Sequence, residues 1–149
     1  MQRGFTAAAA VVLCLTMAGC KSGDKGIKLG TEHKVGDAAT YSLTAADQSG
    51  KGKAVKIPLV NSTDKGFVVI HADGGGNPGE VIGHSELLSP GETKNVRVKL
   101  DKKLTASGKV WPMLYSDTNG NGTFDASGGD QPAKVNNAVV TIAIDVTLR

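Results

Sequence analysis

The segment "DTNGNGTFDASGGD" places Asp117, Asn119, Asn121, Asp125 and Asp130 within one short polar stretch. An EF-hand-like calcium loop takes oxygen ligands from positions 1, 3, 5, 7 and 9, needs Gly at 6 for a sharp turn, and closes with a bidentate acid at 12. Here Asp117, Asn119, Asn121, the Thr123 carbonyl and Asp125 fill the first five positions, and Gly122 stands at the sixth. Position 12 is Gly128, so the closing acid is absent, and Asp130 is the carboxylate that would have to fold back in its place. Calcium is the cofactor such a set implies, held weakly, in the ~10⁻⁴–10⁻³ M class of extracellular modules. The same residues also make an ordinary Asx-rich turn, because Asn and Gly tolerate positive φ and Asx side chains bond the local backbone. The sequence leaves both readings open.

Other chemistry is sparsely represented. A zinc site needs three or four convergent ligands, and the chain has three histidines, His33, His71 and His84. If successive strands alternate in direction, His84 and Glu86 share an end with Asp117–Asp130, whereas His71 and Asp73 lie at the other end. A blue-copper centre needs a Cys thiolate beside two His, and the cysteines are Cys14 and Cys20, both near the N-terminus. Ser85 stands between His84 and Glu86, but adjacent residues on a strand point to opposite faces and cannot form a relay. "GHSEL" lacks the Gly-x-Ser-x-Gly elbow. The glycine-rich "DGGGNPG" joins strands and opens no helix, which argues against a phosphate cradle. The expectation is a non-enzyme, with an envelope metal-handling protein using the His84 and Asp117–Asp130 end as the alternative.

The N-terminus speaks to location. Met-Gln-Arg, the apolar run "GFTAAAAVVLCLTMAG" and then Cys20 make a secretory signal, with a basic start and small residues ahead of a cleavage point. The stretch "LTMAGC" resembles the lipobox of bacterial lipoproteins, with Met17 where Leu is usual. That resemblance implies a diacylglycerol on the Cys20 sulfur and a further acyl chain, such as palmitate, on its new amino group. Two or three chains hold a protein durably, at ~0.8 kcal/mol per buried CH₂, where one gives only marginal binding. By the same resemblance, Lys21 in place of Asp permits outer-membrane sorting. The predicted location is therefore exported and lipid-anchored, at the cell membrane or the outer membrane.

Organisation follows from these readings. Residues 1–19 form the lipoprotein signal peptide. Residues 20–52 form the lipidated Cys and a flexible Gly-, Ser-, Lys- and Asp-rich tether, with room for one edge strand at Ala39–Leu43. From residue 53 to 149 the apolar period becomes two: Val55, Ile57 and Leu59; Val96, Val98 and Leu100; and Val140, Ile142, Ile144, Val146 and Leu148 each share a face. "GFVVIHAD" is apolar on both faces and reads as a doubly covered strand. Pro58 suggests an edge position and Pro112 an edge or a bulge. The fold class is all-β, an immunoglobulin-like antiparallel β-sandwich of six to seven strands. A formal net charge of +3, spread among carboxylates, gives no reason to expect nucleic acid.

The run "GFVVIHADGGGNPGEVIGHSELLSPGETKNVRVKL", with "VWPMLYSDTNGNGTFD" and "GGDQPAKVNNAVV", resembles a domain of uncharacterised function found in surface proteins of halophilic archaea and in bacterial lipoproteins. Where many relatives have His, this chain has Tyr115. The resemblance implies a surface module rather than an activity. Its partners would be the membrane, through the N-terminal lipid, and an envelope protein or glycan.

Overall fold

A computed structural model describes residues 27–37 and 39–149. The predicted leader, Cys20 and the first part of the predicted tether lie outside the described residues. The chain forms β1 (Lys28–Gly36), β2 (Ser42–Gly50), β3 (Ala54–Ser62), β4 (Gly66–Asp73), β5 (Pro78–His84), β6 (Gly91–Lys99), β7 (Gly108–Ser116), the short pieces β8 (Gln131–Pro132), β9 (Lys134–Val135) and β10 (Ala138–Val139), and β11 (Ile144–Leu148). No helix among the described residues is long and apolar enough to cross a membrane.

The strands hydrogen-bond in the order β5-β4-β7-β11-β2-β3-β6, with β1 added on β2 and β8 on β7. This path is one continuous sheet that folds over on itself into an all-β sandwich, half-closed like a barrel. One face is built from β5, β4, β7 and β11, the other from β2, β3 and β6. Between them lie Leu43, Val55, Ile57, Val68, Ile70, Val98, Val110, Leu114 and Ile144, all essentially inaccessible to water. The period-two pattern of β6 and β11 sends alternate branched residues into this layer, as a half-buried strand must. In β3, Val55 and Ile57 point inward but the phase changes at Pro58, so that Val60 and not the expected Leu59 joins the core.

The sandwich is not purely antiparallel. Strand β2 pairs antiparallel with β3 through Ser42, Leu43 and Thr44, then parallel with β11 through Gln48, Ser49 and Gly50. It is the corner at which the chain passes from one face to the other. Between the two ladders the buried Gln48 amide substitutes for missing rungs: its Oε1 accepts from Lys56 N at 2.9 Å, and its Nε2 donates to the Lys56 and Ala46 carbonyls at 3.1 Å. On the far side, the Asp145 N–H of β11 donates to Asp47 Oδ1 at 2.9 Å.

This arrangement corrects the tether reading of residues 20–52 over its described part, residues 27–37 and 39–52. Lys28–Gly36 and Ser42–Gly50 are nine-residue strands, and Leu43, Ala45 and Ala46 are fully buried. The apolar signal of β2 is weak because, Leu43 apart, its buried residues are small or polar, Ser42, Ala45, Ala46 and Gln48 among them, and burial of the polar ones is made tolerable by hydrogen bonds. Pro58 is also placed differently. It sits in β3 between β2 and β6, opposite Asn95, and the β3–β6 ladder skips that pair. Asn95 takes φ 55°, so the local irregularity accommodates the missing N–H. Pro112 lies in β7, buried between the stretches paired with β11 and β8, where its carbonyl accepts from Thr141 Oγ1 at 2.9 Å and from Ile142 N at 3.2 Å.

The two ends of the strand path approach each other. Gly83 of β5 bridges to Leu100 beyond β6, and Asp101 N donates to Ile82 O at 2.8 Å. A Cβ at Gly83 would run into the Lys99 carbonyl oxygen, so glycine is what allows this contact.

Candidate functional site

The outer face of β4 and β7 carries a second apolar cluster. Residues Phe67, Val69 and His71 point away from the sandwich interior, opposite Tyr115, Met113 and Trp111 in register. Phe67, Val69, Met113 and Tyr115 are buried, because the connection from β7 to β11 folds over them. Phe124, from the middle of Asp117–Asp130, is the plug: its ring lies 5.8 Å from Phe67, 5.2 Å from Tyr115 and 5.1 Å from His84. Edge and tilted packings of this kind add to simple burial. Beyond the loop, β8 pairs with β7, and β9 and β10 form a tiny hairpin whose Asn136 and Asn137 both take positive φ, 50° and 66°.

Within the loop, polar side chains organise the backbone in sequence. Asp117 Oδ1 accepts from Gly120 N at 2.9 Å, and Oδ2 accepts from Gly122 N at 3.0 Å. Asn119 Oδ1 accepts from Asn121 N at 3.0 Å, and Asn121 Oδ1 accepts from Thr123 N at 2.7 Å. Gly120 and Gly122 both take φ 71°, a conformation that strongly favours glycine. Asp125 Oδ1 accepts from the Ser127 hydroxyl, Ser127 N and Gly128 N at 2.9 to 3.0 Å. These bonds, the Ser127 hydroxyl first among them, hold the Asp125 carboxyl below the usual carboxylate range.

The end of the loop folds back on its start. Asp125 N donates to Asp130 Oδ2 at 2.7 Å, and Asp130 N donates to Asp125 O at 3.0 Å. A side chain at Gly128 would collide with the Asp125 carboxylate, and one at Gly129 with the Asn119 amide. Asp130 is 1% exposed, and its Oδ1 has no hydrogen-bond partner.

The remaining chemistry-bearing residues are engaged in the fold. His84 lies at the same end as the loop, its ring against Phe124 and its Nδ1 2.9 Å from Ser85 O. Ser85 is buried; its Oγ accepts from Val68 N at 3.0 Å and donates to Glu86 O at 2.7 Å, closing the β4–β5 ladder. His71 lies further along β4, away from the loop end, with Nδ1 2.8 Å from Gly79 O and its ring stacked on Tyr115 at 6.1 Å. Burial pushes the Tyr115 hydroxyl above its ordinary pKa. Asp73, at the far end of β4, accepts from Trp111 Nε1 at 2.9 Å and from Gly76 N at 3.0 Å, and these bonds lower its pKa. His33 is separate again, 3.4 Å from Asp47. Among the described residues, no three His, Cys, Asp or Glu groups assemble into a metal cluster. Thus His84 and Asp117–Asp130 are brought together, while His33, His71 and Asp73 are dispersed. The sequence reading had no role for Phe124; a lone aromatic residue inside a polar loop was the available signal.

Fold and site together define an all-β sandwich module whose most elaborate feature is a self-bonded polar loop pinned by an aromatic residue. The chain belongs to the family described as domain of unknown function DUF7282, whose model matches residues 41–147. It is 30% identical over 126 residues to cell surface glycoprotein 1 of Haloarcula hispanica, a match covering 85% of this chain and 14% of that protein. Cell surface glycoprotein 2 of the same organism is likewise 30% identical over 126 residues, with 85% of this chain and 13% of that protein covered. The chain therefore spans about one seventh of the length of these curated relatives. No solved structure matches it.

Proposed function

We propose that this protein is a non-catalytic module of the cell envelope, held at the membrane by acyl chains on Cys20 and presenting its sandwich to an envelope partner. The observation that carries this reading is the family relationship to domains of cell surface glycoproteins. The geometry is in keeping with it. The Ser85 hydroxyl and the His84 ring, which stand where a reactive pair would be sought, are occupied in backbone hydrogen bonding and packing. The lipobox-like "LTMAGC" supplies the anchor, since two or three acyl chains are sufficient for durable attachment.

Membrane fractionation of cells expressing the full chain or its Cys20→Ala variant tests the anchor. The variant is expected in the soluble exported fraction or as unprocessed precursor, and loss of globomycin-sensitive processing should accompany it. Unchanged, processed membrane association in that variant would overturn the anchor. Crosslinking in intact cells tests the module: an envelope partner captured by the wild-type chain supports it, and a turnover activity without any such partner reverses it.

A further inference from the structure

We infer that Asp117–Asp130 is a calcium site in which the closing carboxylate has moved from position 12 of the loop to Asp130. Two independent features point to the same ligand. The first is the order of oxygens along the loop. The Asp117 carboxylate, the Asn119 and Asn121 amide oxygens, the Thr123 carbonyl and Asp125 occupy positions 1, 3, 5, 7 and 9, and Gly122 makes the turn at 6 with φ 71°. The hydrogen bonds of Asp117, Asn119 and Asn121 to backbone N–H groups use one lone pair per oxygen and leave another for a cation, whereas Asp125 Oδ1 takes three donors and leaves Oδ2 for that role.

The second feature is Asp130 itself. A carboxylate 1% exposed, with Oδ2 engaged by Asp125 N and Oδ1 without a partner, is an expensive arrangement for a protein to retain. A divalent cation would relieve it directly. The loop is also shaped to bring this residue in. As the loop stands, the Asp125 carboxylate lies beside Gly128 and the Asn119 amide beside Gly129, so a side chain at position 12 or 13 would displace a residue of the ligand set. Position 14, which meets no such neighbour, is an Asp. The segment contributes three carboxylates and contains no Lys or Arg. Among the described residues the three carboxylates are not gathered into one acidic cluster, so the two amide oxygens and the Thr123 carbonyl complete the set and the cation would have to draw the acids together. Oxygen donors of this kind suit a hard cation, and a flexible set of six suits calcium better than the rigid octahedron of magnesium.

The test uses the full chain in detergent, stripped with EDTA and titrated with calcium chloride by calorimetry, with magnesium chloride in parallel. One calcium per chain is expected, with a Kd of ~10⁻⁴–10⁻³ M and clear preference over magnesium. Asp130→Asn keeps an acceptor for Asp125 N, and should weaken calcium binding at least tenfold. Asn121→Asp adds a charge at position 5 and should tighten it severalfold, which keeps the proposal falsifiable even if the Asp130 variant misfolds. Asp101→Asn, an exposed carboxylate outside the loop, should leave affinity unchanged. Absence of saturable binding at millimolar calcium, equal binding of magnesium, an Asp130→Asn protein with wild-type affinity, or a folded Asn121→Asp protein that binds no tighter would each overturn the site.

Discussion

Phe124 meets Phe67 edge to face, ring centroids 5.8 Å apart and planes inclined at 63°, and through this contact a polar loop is fastened to the outer face of β4. The loop residues on either side of Phe124 bond chiefly to one another, so the aromatic plug and the Asp117 N–H to Lys65 O bond of 2.8 Å connect them to the sheet. Phe124→Ala should therefore uncover Phe67 and Tyr115 as well as lose its own burial. Phe→Ala changes in cores cost ~3–5 kcal/mol, and the lower end applies because Phe124 is only half-buried. A urea titration checks this. Hydrogen exchange should show the protection of 117–130 falling first, with β3 and β6 little affected; uniform loss of protection would mean that the loop is integral to the main core.

Gln48 makes the second case, at the corner strand. Its amide meets both the N–H and the carbonyl of Lys56 where the β2–β3 backbone ladder has ended. Gln48→Leu keeps similar bulk but removes that partner from a buried backbone N–H, a change of about 1–3 kcal/mol per unsatisfied group. The midpoint of denaturant unfolding should fall accordingly, and the Lys56 amide should exchange faster. A variant within about 0.5 kcal/mol of wild type, the ordinary range for surface changes, would show that water replaces the amide at no cost.

These two residues also mark what the sequence discloses and what it conceals. Strands β3, β4, β6 and β11 are legible because Val, Ile and Leu alternate or run together in them. Strand β2 is concealed because, apart from Leu43, its buried residues are small or polar, Ser, Ala, Gln and Gly, and give no clear apolar alternation. Only the tertiary hydrogen bonds of Gln48 and Asp47 show why such a strand is stable at the corner. In the loop, the Asx spacing and Gly122 are readable in one dimension, and so is Asp130 as a candidate closing residue. Its burial and its solitary oxygen are not, since both depend on where Gly128 and Gly129 let the chain turn. Phe124 shows the same limit: its partners come from three different strands.

Asp47 gives the pH dependence of the β2–β11 junction. The Asp145 N–H is the main cause of its lowered pKa, opposed in part by burial and helped further by His33 and by the Lys109 charge. Lys109 in turn bonds Asp145 Oδ1 at 2.9 Å, which raises its own pKa. A carboxylate whose pKa is lower folded than unfolded stabilises the fold above its unfolded pKa, ~3.9 for Asp, and loses that contribution as pH falls through the folded value. The junction should therefore weaken only in acid, below about pH 4, and not between pH 5 and 8. Since the Asp47 side chain is 35% exposed, solvent screening keeps the effect small. Asp47→Asn retains an oxygen for the Asp145 N–H but no charge, so its unfolding midpoint should lie below wild type at pH 7 and approach it at pH 2.5. Thermal melts of the two proteins across that range check the sign. A gap between them that is constant with pH would show that Asp47 acts through its hydrogen bond alone, and a gap that widens in acid would contradict the lowered pKa.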